Sequence, residues 1–310
     1  MNYAFIFPGQ GSQAINMGKD FYENFDLAKE LFEKSSDILK IDMKKLCFEE
    51  NDKINQTAYT QPAVLLVSAI AHAILQQESP LLAKLALGHS LGEISAVYVA
   101  NGLSFENAMI LAHQRGILMQ KSCEGKDAGM MVVVGCDDTS LENFCKNAQN
   151  EDKMIFCANY NGDGQMVLAG KKSDLLEAES QIKSLGAKRA LILPMSVASH
   201  CPILESMNKD FEILISDMLE ENFTLPVISN ATTEAYQNKK NAIKLLSSQL
   251  TQPVLYKQSI QKIDTQINAY IEFGHGNILK GLNKRLTNKP TFNISDMASL
   301  NETLNQIQKD

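Results

Sequence analysis

The chain has 310 residues and a mass of 34.3 kDa, with 45% hydrophobic and 21% charged residues. These ordinary globular proportions exclude a disordered, collagen-like or disulfide-stapled chain and, at roughly 150 residues per domain, predict one large or two modest domains. Its 29 Lys and Arg against 36 Asp and Glu leave a formal charge of −7, the wrong sign for a dedicated nucleic-acid binder, so a polyanionic partner has to meet a local basic patch.

In chain order, the apolar start lacks a basic n-region and stops at Pro8-Gly9, so Tyr3–Phe7 reads as a first strand entering a glycine loop and not as a signal peptide. Asp20–Leu39 carries apolar residues at helical spacing. Thr60 is placed to N-cap a helix that holds Pro62 at an early position. The apolar run from Pro62 to Leu75 contains His72 and is too short to span a bilayer, so no membrane partner is expected. Leu82–Leu87 reads as a short strand and Glu93–Ala100 as a helix. Ser104 caps a further helix in which Ala108, Leu111, Ala112, Arg115, Leu118 and Met119 recur at three- and four-residue steps, which sets Arg115 on the apolar face.

The rhythm then changes. Met130–Val134 reads as a strand, Ser140–Ala148 as a helix, and Ile155–Ala169 as two strands around Asn161-Gly162-Asp163-Gly164. A helix follows at Asp174–Leu185, capped by Ser173 and stopped by Gly186, and then a strand at Ala190–Leu193. This βαββαβ order is the split βαβ, ferredoxin-like pattern. It predicts a small subdomain over residues 127–196 inserted into a parent domain built from residues 1–126 and 197–310. The parent resumes with strand Val227–Asn230, helix Ala242–Ile263, strand Ala269–Phe273 and a glycine turn opening a helix near Asn277. Strands alternating with helices predict an α/β fold with a parallel sheet covered on both faces.

The sharpest chemical signal is Gly88-His89-Ser90-Leu91-Gly92, a GxSxG sequence between a predicted strand and a predicted helix. That is the setting of a nucleophile elbow, where flanking glycines remove side chains that would collide in the sharp turn; an N-cap serine is the plainer alternative. A serine nucleophile needs a base. Of the five histidines, His72 and His113 fall inside predicted helices, and His89 adjoins the serine and should point elsewhere. His200, in Ser199-His200-Cys201, and His275, in Gly274-His275-Gly276, both follow a strand, and the residues alone do not separate them. Arg115 is the second unusual residue, because a guanidinium on an apolar stripe has to be paired. It reads either as half of a structural salt bridge, with Glu93 or another carboxylate, or as a fork for a substrate carboxylate. Phe7-Pro8-Gly9-Gln10-Gly11-Ser12-Gln13 lacks the endings of a Walker A or GxGxxG loop, but its backbone N–H groups can face an oxyanion. The six cysteines, Cys47, Cys123, Cys136, Cys145, Cys157 and Cys201, show neither a CxxC pair nor a zinc-like cluster; they read as reduced thiols of a cytoplasmic protein without a metal site.

Taken together, the chain resembles the malonyl-CoA:acyl carrier protein transacylases of fatty acid synthesis and the related acyltransferase domains of polyketide synthases. The resemblance runs through Phe7 to Gln13, Gly88 to Glu93, Gln114-Arg115-Gly116 with Met119, Ala158-Asn159-Tyr160-Asn161, Ser199-His200, and Gln249-Leu250 followed by Pro253-Val254. It implies an α/β-hydrolase-like core with a ferredoxin-like insertion. It further implies Ser90 as nucleophile, His200 as base oriented by the main-chain carbonyl of Gln249, an oxyanion hole from the amides of Gln10 and Leu91, and Arg115 for the malonyl carboxylate, with Met119 and Asn159 as further substrate-binding residues. Malonyl-CoA and acyl carrier protein are the implied substrates, with no metal or redox cofactor and no nucleic acid. Because carrier proteins are acidic, Lys188, Arg189, Lys280, Lys284 and Arg285 are the candidate docking cations. The chain departs from the family at Gly274-His275-Gly276, where GPG is common, and at Tyr256, where Trp is common. Val197-Ala198-Ser199-His200 also resembles a motif that accompanies methylmalonyl use in modular enzymes. Two rival readings follow from the same residues. An esterase or thioesterase with this elbow needs a triad acid and has no use for an inward Arg115; a non-catalytic acyl-CoA or carrier-protein binding module has no use for an intact Ser90 and His200.

Overall fold

The computed structural model describes residues 1–308. A six-stranded sheet is built from β1 (Tyr3–Phe7), β2 (Ala83–Gly88), β7 (Asn222–Ile228), β8 (Ala235–Asn238), β9 (Ala269–Phe273) and β10 (Thr291–Ile294), in the spatial order β10-β9-β1-β2-β7-β8. Every neighbouring pair is parallel except β7 and β8, which form an antiparallel edge. All five residues of β1 are buried; no polar alternation appears because both faces of a parallel sheet are covered.

The helix Thr57–Glu78 is the central helix of this layer, packed against the helix Phe105–Cys123. It is long and apolar enough to cross a membrane by length and composition, yet 83% of its most apolar stretch is buried inside the protein. It starts at Thr57 with Gln56 as N-cap, so Thr60 lies inside it. The Thr60 hydroxyl donates to the carbonyls of Ile54 and Gln56 and caps no amide. Pro62 has no N–H for the Ala58 carbonyl four residues earlier, and His113 Nδ1 from the neighbouring helix donates to that oxygen at 2.8 Å. Two other expected helices are divided. Asp20–Leu39 becomes Lys19–Asn24 and Asp26–Leu39, separated by an extended Phe25, where the Asn24 side chain folds back to donate to the Asp20 carbonyl and carboxylate. Ala242–Ile263 becomes Lys239–Gln249 and Tyr256–Ile263, with Pro253 in the gap. Helices Met43–Phe48, Asn208–Met218 and Met297–Ile307 and strands β8 and β10 were not expected from the sequence.

A separate antiparallel sheet is built from β3 (Ala128–Val134), β4 (Ile155–Gly162), β5 (Gln165–Lys171) and β6 (Arg189–Ile192), in the order β4-β5-β3-β6. Its helices, Asp138–Asn150 and Lys172–Ser184, follow β3 and β5. The second begins at Lys172 without a side-chain cap; the amide of Ser173, the expected cap, donates to Asp127 Oδ2. Residues alternate along these strands between two clusters. Met131, Val133, Met166 and Leu168 pack with the two helices, while Met130, Val167 and Ala169 join the main core. One apolar core therefore runs from the large layer into one face of the small sheet.

Gly116 lies in close contact with the start of the other long helix. A Cβ there would sit 2.5 Å from the Thr57 carbonyl oxygen and 2.6 Å from Ala58 Cα, so the helices must separate. Gly116→Ala is expected to lower stability by about 1–3 kcal/mol, the range for overpacking, read as a lower denaturant midpoint at unchanged slope. An unchanged midpoint would show that the helices part freely.

Candidate active site

Ser90 stands at the carboxyl end of β2, where parallel sheets place their ligand loops, and heads the helix Leu91–Val99. Its backbone is held at φ 55° and ψ −106°, a conformation that costs about 1–3 kcal/mol for a residue with a side chain. The turn is possible because Gly92 carries no Cβ, which would lie 2.0 Å from the Phe7 carbonyl oxygen. Neighbouring side chains clasp the strained residue. Asn230 Oδ1 accepts from the Ser90 amide at 2.7 Å, Asn230 Nδ2 donates to the Gly88 carbonyl at 2.6 Å, and Gln249 Nε2 donates to the Ser90 carbonyl at 3.0 Å.

His200 also has positive φ, 60°. Its Nε2 lies 2.7 Å from Ser90 Oγ, and its Nδ1 lies 2.7 Å from the Gln249 main-chain oxygen. A carbonyl only accepts, so Nδ1 carries the hydrogen and Nε2 is free to accept from the serine. The Gln249 carbonyl is available because it ends a helix, where the last carbonyls have no helical donor. Burial first, and then the charge of Arg115, pushes the imidazole down to about 3, so it is a neutral base at physiological pH. His275 is partly exposed and lines no part of the cleft around Ser90. His89 turns away to Asn161 Oδ1, 2.7 Å from its Nε2.

Arg115 is 1% exposed. Nη1 donates to Gln61 Oε1 at 2.7 Å; Nη2 donates to Gln249 Oε1 at 2.9 Å and to Ser90 Oγ at 3.3 Å. Nε is buried without a hydrogen-bond partner among the described residues. Burial lowers the guanidinium to about 10, with the charge of Glu93 opposing the shift, so it stays protonated. The sequence offered Glu93 as a direct ion partner. Among the described residues no Arg115–Glu93 ion pair is present: Gln249 spans the gap, its Nε2 donating to Glu93 Oε2 at 2.7 Å. Glu93, fully buried, also accepts from the Asn230 amide at 2.9 Å and the Tyr236 hydroxyl at 2.8 Å. Burial raises its carboxyl to about 7 against the pull of these donors.

The Leu91 amide is the first of its helix, one of the donors an α-helix leaves without an internal acceptor, whereas Gly92 and Glu93 return theirs to His89 and Ser90. The glycine turn after β1 packs against it: a Cβ on Gly9 would lie 2.3 Å from the His89 carbonyl oxygen, and Ser12 Oγ and its amide both close onto the Gly9 carbonyl. Gln10 and Leu91 therefore border the same cleft, which has a volume of about 200 Å³. Ser90, His200, Arg115, Met119 and Asn159 line it too, while Gln249 stands behind them. The small sheet supplies one wall through Met130 and Val167. The helix Ile278–Asn283 supplies the other through Ile278 and Leu282, its amides at Leu279 and Lys280 fixed by the buried Glu272 carboxylate. None of the five candidate docking cations lines the cleft. Lys188, Arg189, Lys284 and Arg285 are exposed, and Lys280 Nζ donates to Asn293 Oδ1.

Sequence reasoning missed Gln61, Asn230, Tyr236 and Glu272. Asn230 alone had a signal, its position closing a predicted strand on the side where α/β sites gather. The imidazole environment gives a direct test. The His200 Cε1–H resonance is expected to stay at its neutral position from pH 8 down to about pH 5, as is that of His72, which burial lowers to about 4. A His200 midpoint near 6.5, the ordinary histidine value, would show that the ring is not shielded as described.

Comparison with known proteins bears on the whole chain. The acyl transferase domain family matches residues 4–304. A malonyl CoA-acyl carrier protein transacylase of Salmonella typhimurium is 33% identical over 98% of this chain and 99% of its own length. The crystal structure of malonyl-CoA:acyl carrier protein transacylase from Helicobacter pylori superposes with a TM-score of 0.97 at 50% identity, covering 100% of this chain and 99% of that one. A malonyl-transacylase solved in complex with a type II PKS acyl-carrier protein superposes at 0.94 with 32% identity, covering 99% of this chain and 100% of that one. A match over nearly all of the sequence, with these relatives beside it, makes the chain a member of the acyl transferase domain family.

Proposed function

We propose that this protein transfers a malonyl group from malonyl-CoA to the phosphopantetheine thiol of an acyl carrier protein through a malonyl-Ser90 intermediate. The observation that carries this reading is the buried guanidinium of Arg115, 3.3 Å from Ser90 Oγ and with donor capacity left at Nε. An acyl group on Ser90 that ends in a carboxylate meets a fixed cation; an acyl group without one leaves that cation facing an apolar chain. The family membership and the named relatives support the same substrates.

In the first half of the reaction Ser90 gives its proton to His200 Nε2 as Oγ attacks the thioester carbon. The amides of Gln10 and Leu91 receive the oxyanion. The imidazolium then protonates the CoA sulfur as the carbon–sulfur bond breaks. In the second half the carrier thiol gives its proton to His200, its sulfur attacks the malonyl ester, and Ser90 recovers its proton as the ester breaks. Met119 and Asn159 flank the acyl group. These steps call for no metal or redox cofactor, and a cytoplasmic location goes with them. We read residues 127–196 as a ferredoxin-like insertion and residues 1–126 with 197–310 as a hydrolase-like core, the insertion closing one side of the acyl site. A hydrolase triad would put an acid behind the histidine; here a main-chain carbonyl stands in that place.

Mixing the protein with malonyl-CoA is expected to add one malonyl group to the intact mass. Ser90→Ala abolishes the adduct with the fold retained, and His200→Ala slows its formation by a factor on the order of 100 to 10,000, as for a lost base. Arg115→Ala depresses malonyl transfer and relatively improves acetyl transfer; equal losses for both acyl groups would make Arg115 structural.

For the carrier protein, we assign the basic residues different weights. Strand alternation puts Arg189 on the face of the small sheet that carries the cleft-lining Gln165 and Leu193. Arg285 lies just past the end of the helix that lines the cleft through Ile278 and Leu282. Lys188 alternates to the opposite face, and Lys280 is held by Asn293. Arg189→Glu with Arg285→Glu should raise the KM for carrier protein and weaken its salt dependence, with malonyl loading from CoA changed less; Lys188→Glu with Lys284→Glu should do less. A KM untouched by all four reversals at low ionic strength would sink this docking surface.

A further inference from the structure

Two cysteines that the acyl-transfer reading leaves unused stand together in the small layer. The helix Asp138–Asn150 presents Cys145 and β4 presents Cys157, with their sulfurs 3.7 Å apart. Cys145 is buried and Cys157 partly exposed, whereas Cys47, Cys123, Cys136 and Cys201 are buried. Reactivity divides the same way. Burial pushes the thiols of Cys47 and Cys201 up to about 12 and raises those of Cys123 and Cys136. With Cys145 protonated and donating, its contact draws Cys157 below the ordinary thiol value, against burial and the charges of Glu142 and Asp138, and the same contact raises Cys145. The thiolate is the nucleophile; Cys157 is the most exposed of the six cysteines, and a second sulfur stands in contact with it.

Cys157 is tied to the cleft through two residues of backbone. β4 bulges between Cys157 and Asn159. On one side of the bulge Cys157 pairs with Leu168 of the helix-facing cluster; on the other Asn159 pairs with Val167 and lines the cleft. The Ala158 carbonyl accepts from the Val254 amide at 2.8 Å, and the Tyr160 amide donates to the Val254 carbonyl at 2.9 Å.

We propose that Cys145 and Cys157 are a peroxide-sensitive dithiol whose closure to a disulfide shifts the Asn159 wall and slows acyl transfer. The Cys157 thiolate attacks a hydroperoxide; with hydrogen peroxide a sulfur–oxygen bond forms, the oxygen–oxygen bond breaks, and hydroxide leaves a sulfenic acid on Cys157. The Cys145 thiol attacks that sulfur, the sulfur–oxygen bond breaks, and its proton leaves with the departing hydroxide as water. In sum two thiols and one peroxide give one disulfide and two waters, the two sulfurs surrendering two electrons. A disulfide needs its sulfurs about 2.05 Å apart, so the helix and the strand must close on each other, and the strand side of that movement runs into the bulge.

The slowing of transfer rests on the Ser90 reading above; the thiol chemistry does not. The test treats the full-length protein with hydrogen peroxide, quenches with an alkylating agent and maps the peptides by mass. The expected result is a Cys145–Cys157 linkage formed before any other thiol is modified and reversed by dithiothreitol. In Cys145→Ser the same treatment leaves a dimedone-reactive sulfenic acid on Cys157. Malonyl loading of the oxidised protein falls by about tenfold, well inside the ~100-fold that a 1 Å misplacement can cost, and returns on reduction. The Cys145→Ala/Cys157→Ala protein loads malonyl normally and is insensitive to peroxide, which separates this loss from methionine oxidation. Prior oxidation of another cysteine, or failure of the pair to link, overturns the dithiol; a linked pair that loads malonyl at the reduced rate overturns its coupling to the cleft. An untreated protein that never gains malonyl counts against the acyl-transfer reading and leaves the peptide map to decide the thiol chemistry.

Discussion

A full positive charge held away from water is the constraint around which this site is arranged. Removing a guanidinium from water carries a penalty of several kcal/mol unless it is paired and hydrogen-bonded. Arg115 meets two neutral amide oxygens, Gln61 Oε1 and Gln249 Oε1. Carboxylates in their place would hold it as firmly and cancel its charge. Amide oxygens fix the plane of the fork and leave its charge facing the serine. The countercharge is kept one side chain away: Gln249 turns its oxygen to Arg115 and its nitrogen to Glu93. Glu93 in turn is surrounded by donors, from Asn230, Gln249 and Tyr236, which oppose the rise that burial imposes.

Gln249 can serve both sides because it ends a helix. Its side chain spans Arg115 and Glu93 and also reaches the Ser90 carbonyl, while its own carbonyl, freed by the end of the helix, accepts the hydrogen bond from His200 Nδ1. One residue thus fixes the cation, the base and the nucleophile relative to one another. The two reacting side chains both stand on backbone with positive φ, which the surrounding bonds must hold in place. Asn230 bonds to both sides of the elbow, at Ser90 and at Gly88. The strain at Ser90 is met by contacts from the turn after β7 and from the end of the helix after β8, more than a hundred residues away in sequence.

Local signals made much of this legible. The strands of the small sheet, the GxSxG turn and the apolar stripe bearing Arg115 all follow from periodicity and turn chemistry within a few residues, and the resemblance separated His200 from His275. Illegible parts depended on partners far along the chain. Nothing near Pro62 announces that His113 will answer for the orphaned Ala58 carbonyl. Gln61, at the edge of an apolar run, reads as a polar interruption until Arg115 is brought against it. The break in Ala242–Ile263 was visible only as Pro253, and the apolar spacing on either side disguised it. That break creates the free carbonyl on which His200 depends, so the error fell on the segment where the main-chain contribution to the site arises.

The small sheet shows how a wall of the cleft is held in register. Side chains of a strand alternate faces, so a slip of one residue in β3 would exchange Met130 with Met131 and Val132 with Val133, moving each set into the wrong cluster. Because both faces are apolar and both are covered, the penalty applies on either side of the sheet, and β3 and β5 are fixed by two clusters at once. β4 cannot follow the same rule throughout. It must keep Cys157 and Tyr160 toward the helices and turn Asn159 toward the cleft, which strict alternation forbids for residues 157 and 159. The bulge at Ala158 resolves the conflict by adding one residue on the β4 side. The backbone groups it displaces from the ladder are taken by Val254, just beyond the broken helix that ends at Gln249. The same interruption of the chain that frees the carbonyl for His200 therefore also supplies the partner that lets Asn159 face the cleft.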